Sequence, residues 1–80
     1  MKVTGNGTFP LDQGAAWSAS ALYPEALGGA SVVLQVNGVN LTDGVLADNT
    51  QIVVYHGKRA QVNVVVSGFT TEFEIQTYEV

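Results

Sequence analysis

The 80-residue chain has no cysteine, one histidine, one tryptophan, one methionine and only three lysine or arginine side chains. Without cysteine there is no disulfide framework, no thiolate zinc site and no thiol nucleophile. The three cations, Lys2, Lys58 and Arg59, stand against seven Asp or Glu and leave a formal net charge of −4. Nucleic-acid and anionic-membrane binders need a clustered cationic face, so neither nucleic acid nor membrane is expected as a partner. No apolar run approaches the roughly 18–20 residues of a membrane span. No apolar stretch of the secretory type follows Lys2, so synthesis in the cytoplasm is the plain expectation.

Charge of either sign is scarce, at 12% of residues against 46% hydrophobic. Such a chain folds rather than staying disordered, and Thr, Ser, Asn and Gln must keep its surface in water. A valine-rich chain with so few lysines has little to block pairing between exposed sheet edges. The composition therefore points to a homo-oligomer or to docking on something larger.

What is present is strand signal. Nine glycines and the β-branched residues of the most apolar segments weaken every helix candidate. Ser31 to Val36, the pair Asn37-Gly38, and Val39 to Thr42 read as a hairpin, because Asn-Gly accepts the positive φ angles of a tight type I′ turn. Asp43-Gly44 reads as a second turn. Thr50 to Tyr55 and Ala60 to Ser67 read as another hairpin across the polar loop His56-Gly57-Lys58-Arg59, with Val62, Val64 and Val66 on a core face. Glu72 to Val80 alternates, with Phe73 and Ile75 opposite Glu72, Glu74 and Gln76. Over Gln13 to Tyr23 two readings compete: a helix favoured by its alanines, or a strand with Trp17, Ala19, Ala21 and Tyr23 on one side. Pro24 to Gly29 reads as a loop. The fold class expected is all-β, a small antiparallel β-sandwich or barrel of six to seven short strands, spanning residues 1–80 as one domain. Residues 1–8 are expected as an amino-terminal arm, flexible or extended.

Chemistry-bearing constellations are few. His56 as a base requires a nucleophile and an orienting carboxylate, and its place in a loop suggests solvent exposure or a partner contact instead. No Gly-x-Ser-x-Gly pattern surrounds Ser18, Ser20, Ser31 or Ser67. Asp43 and Asp48, with Asn40 and Asn49, lack calcium-loop spacing and fit turn chemistry better. Trp17, Tyr23, Tyr55 and Tyr78 suit either a platform for sugar rings or core and subunit contacts. No cofactor, metal or catalytic residue is expected. Two groups are candidate partner-binding residues. Val3, Thr4, Thr8 and Phe9 lie on an arm able to add a strand to a neighbour's sheet edge. His56, Lys58 and Arg59 lie at a loop tip suited to an acidic surface.

The cysteine-free chain, its start Thr4-Gly5-Asn6-Gly7-Thr8, the Val39-Asn40-Leu41-Thr42-Asp43-Gly44 return and the terminal strand Glu72 to Val80 together resemble small virion proteins of tailed bacteriophages, decoration proteins included. The likeness runs along the chain and carries no diagnostic motif. It implies a homo-oligomer, commonly a trimer, that sits on the major capsid protein or another virion protein and reinforces the assembled shell. A small carbohydrate-binding module is the alternative expectation, with Trp17 and the tyrosines stacking on sugars.

Overall fold

A computed structural model describes all 80 residues and contains no helix. Its eight strands are β1 (Lys2–Val3), β2 (Gly7–Pro10), β3 (Ala19–Pro24), β4 (Ser31–Val36), β5 (Val39–Val45), β6 (Ile52–Tyr55), β7 (Val62–Ser67) and β8 (Phe73–Glu79). They form two antiparallel sheets, ordered β1-β8-β3-β6 and β2-β7-β4-β5. The chain changes sheet at every connection except the β4–β5 hairpin, which is the strand order of a jelly roll. The β-sandwich expectation holds, with more strands than the six to seven read from the sequence.

Period-two alternation explains the core. Val62, Val64 and Val66 of β7 face Leu22 of β3 and Phe73 and Ile75 of β8 between the sheets, with Val32 and Leu34 beside them. The loops complete it: Leu11, Leu27 and Leu46 each bury a side chain from a connection between strands, and Leu11 and Leu46 bond by backbone to Val62 and Val32. These three leucines close the ends of the sandwich.

Several local expectations are corrected. The Asn37-Gly38 turn is present, with φ of 50° and 83°. Asp43-Gly44, however, lies inside β5, where the pairing with β4 shifts register between Val33 and Gln35. Gly44 is required there, since a Cβ would sit 2.8 Å from Leu41 Cβ and 3.1 Å from Leu34 Cβ. β6 and β7 are not a hairpin pair: β6 bonds to β3, and β7 bonds to β2 and β4. The loop 56–61 spans the two sheets instead, because each strand finds its apolar match on a different layer. Residues 13–18 are loop, and the strand reading of the following segment is the right one.

Residues 1–8 are extended but are not a free arm. Lys2 and Val3 pair with Glu74 and Phe73 in one sheet, and Gly7 to Pro10 pair with Val66 to Asn63 in the other. Val3 is 1% exposed, and Asn6 Oδ1 accepts the Phe69 amide at 2.8 Å. Removing Met1 to Gly7 is expected to cost at least the ~1.5–3 kcal/mol of burying Val3, read as a lower urea midpoint; an unshifted midpoint contradicts this. Ile75→Ala, at a fully buried site, is expected to cost about 2–5 kcal/mol in the same assay.

Candidate functional site

The outer faces of the two sheets differ in kind. On the β2-β7-β4-β5 sheet a ladder of amides satisfies itself: Gln61 Nε2 donates to Asn63 Oδ1 (3.4 Å), Asn63 Nδ2 to Gln35 Oε1 (3.1 Å), and Gln35 Nε2 to Asn40 Oδ1 (3.1 Å). That face sets the paired amides beside an aliphatic row of Val45, Val33 and Val65, and it carries no aromatic side chain.

The outer face of the β1-β8-β3-β6 sheet is aromatic. Leu22 points into the core, so alternation turns Ala19, Ala21 and Tyr23 outward. Register then sets Ala21 between Val53 and Tyr78, Tyr23 beside Gln76, and Ala19 beside Tyr55, with Val80 bonding its amide to the Ala19 carbonyl. The two alanines are buried between larger neighbours, whereas Tyr55 is 81%, Val80 61% and Tyr78 56% exposed. No charged side chain stands among these residues, and Lys2, Glu72 and Glu74 gather at the β1 edge, where Lys2 Nζ lies 3.1 Å from Glu72. A shallow cavity of ≈ 260 Å³ opens on the face, bordered by Ala21, Tyr23, Gln51, Gln76 and Tyr78. Tyr78 donates its hydroxyl to Gln76 Oε1 at 2.6 Å.

His56 follows β6 and is not the free loop side chain expected of it. Its Nδ1–H is directed at the Gly57 carbonyl (2.7 Å), which leaves Nε2 to accept the Ser20 hydroxyl proton (2.8 Å). Gln13 Oε1, 3.1 Å from the same hydroxyl, is the longer contact, and Gln13 Nε2 reaches the Ala60 carbonyl at 3.3 Å. A nucleophilic serine needs access to substrate and donors aimed at a developing oxyanion. Ser20 is fully buried and borders no cavity, so the pair ties β3 to the β6–β7 loop.

The remaining sequence candidates are dispersed. Val3 is core and cannot meet a partner; Phe9 packs partly against the core; Thr4, just after β1, and Thr8, in β2, are exposed. Lys58 and Arg59 are exposed on the loop leaving β6, where the Arg59 amide bonds to the Ala15 carbonyl. Trp17 stands apart from the tyrosines, half-buried over Gly14, whose place leaves no room for a Cβ beside the indole. Asp48 Oδ1 accepts the Leu27 amide at 3.0 Å and so shapes two loops. The sequence reading grouped the tyrosines by residue type. What brings them to one face is pairing register, which spans residues far apart in the chain.

Compared with known protein families, curated proteins and solved structures, the chain matches none.

Two outcomes test this geometry. Ser20→Ala leaves the ring nitrogen of His56 without its partner and is expected to cost about 1–2 kcal/mol by urea denaturation; an unchanged midpoint contradicts the tie. Thr77 carries a buried hydroxyl with no partner, so Thr77→Val is expected to stabilise by about 1 kcal/mol, and a loss of stability contradicts that.

Proposed function

We propose that the protein is a non-enzymatic structural component of a virion, a capsid decoration protein that binds the assembled shell and stabilises it. The observation that carries the reading is the uncharged aromatic face built by Tyr23, Val53, Tyr55 and Tyr78 on a chain of net charge −4. Loss of charge and gain of tyrosine at the centre of a patch is the composition of interface cores. A protein that binds the assembled shell but not its separated subunits stabilises assembly by mass action, with no chemistry required. The sequence resemblance supports the virion setting, and jelly rolls also occur in viral capsid domains, an analogy of fold. The face takes the docking role expected of Met1 to Phe9, since Lys2, Val3 and Gly7 to Phe9 are paired within the protein's own sheets.

A second reading rests on the cavity between Tyr23 and Tyr78, where ring faces and the amides of Gln51 and Gln76 suit a sugar. Sedimentation with empty tailed-phage heads and with their dissociated subunits separates the two. Binding to heads alone is expected, weakened about tenfold or more when Tyr23→Ser and Tyr78→Ser are combined. Equal binding to heads and subunits, or undiminished binding by the folded double variant, contradicts the decoration reading. Amide shifts at Gln51 and Gln76 on titration with soluble oligosaccharides, without head binding, replace it with the carbohydrate module.

A further inference from the structure

Four strands lie at sheet edges, and three of them are blunted. β1 has two residues, and its Lys2 is ion-paired to Glu72. β2 ends in Pro10, which lacks a donor, and β5 carries Asp43 and the register shift at Gly44. Short length, lysine, proline, inserted charge and bulges are the devices by which edges avoid pairing with other chains. β6, Ile52-Val53-Val54-Tyr55, is as short as β2 but carries no lysine, proline, inserted charge or bulge.

The unpaired groups of that edge are known from the ladder. The His56 amide bonds back to Ser18 of the β3 side, and Ala19 turns its carbonyl to Val80, so by alternation Ile52 and Val54 address β3. Val53 and Tyr55 direct N–H and C=O away from the sheet. Their side chains lie on the exposed tyrosine face, so the edge is continuous with that face. Beside it, a groove of ≈ 320 Å³ between β5 and β6 is bordered by Leu41, Asp43, Gly44, Ile52 and Val54.

We infer that β6 pairs antiparallel with β6 of a second copy, forming a two-fold dimer with one continuous sheet across both molecules. β6 itself carries no charged side chain, so an antiparallel β6–β6 ladder sets no like charges opposite one another, and the nearest carboxylate, Asp43, belongs to β5 across the groove. An isologous contact needs a self-complementary patch, and four uncharged β-formers supply one. The pleat keeps like faces together, and a two-fold axis at Val54 sets Val53 of one copy opposite Tyr55 of the other, an aliphatic–aromatic cross-strand pair. This inference deepens the docking reading, because pairing sets the tyrosine faces of two copies side by side, and it fails separately from it.

Light scattering from micromolar to millimolar chain tests it. The expected mass is twice the chain's 8.4 kDa at the upper end. Val53→Pro removes an amide that faces away from β3 and spares the bonds to β3, and Tyr55→Lys adds a charge at an exposed side chain. Both are expected to restore the single-chain mass with an unchanged circular dichroism spectrum, whereas Val39→Lys on the β5 edge is expected to leave the dimer intact. A monomer throughout, a trimer, or a dimer that survives Tyr55→Lys overturns the pairing. Tyr23 and Tyr78 are untouched in these variants, so head binding by their double variant is judged independently.

Discussion

The packing of two inner sheet faces against each other, around Leu22, Leu34, Val64 and Ile75, is the interaction on which every other feature depends. A chain of 80 residues has little surface to bury and no disulfide to help it, so most of its aliphatic side chains must reach one core. The jelly-roll path achieves this by alternating layers. Each crossing places the next strand opposite the last, and the crossings that carry Leu11, Leu27 and Leu46 seal the ends.

The same constraint decides what is left outside. With most aliphatic residues committed inward, the outer faces are built from the alternate positions, and these differ between the sheets. One presents amides that satisfy one another; the other presents tyrosines with alanines between them. Aromatic rings held on an uncharged face are costly to leave in water, and their exposure is the physical basis for reading this face as an interface.

Much of the fold was legible because alternation is local. The valines of β7, Phe73 and Ile75 of β8, and the Asn37-Gly38 turn declare themselves within a few residues. What was not legible is which strand joins which sheet. Ile52 to Tyr55 and Val62 to Ser67 look like hairpin partners because a short polar loop separates them, yet their partners lie far away in sequence. Gly44 gave a turn signal that was a packing requirement against Leu34 and Leu41. The candidate site fared likewise: the aromatic residues were visible as a set, but their meeting on one face, Trp17 excluded, is a consequence of register. His56 was misread for the same reason, since Ser20 is distant in the chain and adjacent in space.

The most direct measurement is amide hydrogen exchange of the wild-type protein at rising concentration, read residue by residue. The amides of Val53 and Tyr55 have no partner within the chain, so they report whether the β6 edge and the tyrosine face beside it are covered. The account predicts that their exchange slows as concentration rises while the free edge of β5 continues to exchange rapidly. Fast exchange of both amides at every concentration would contradict it.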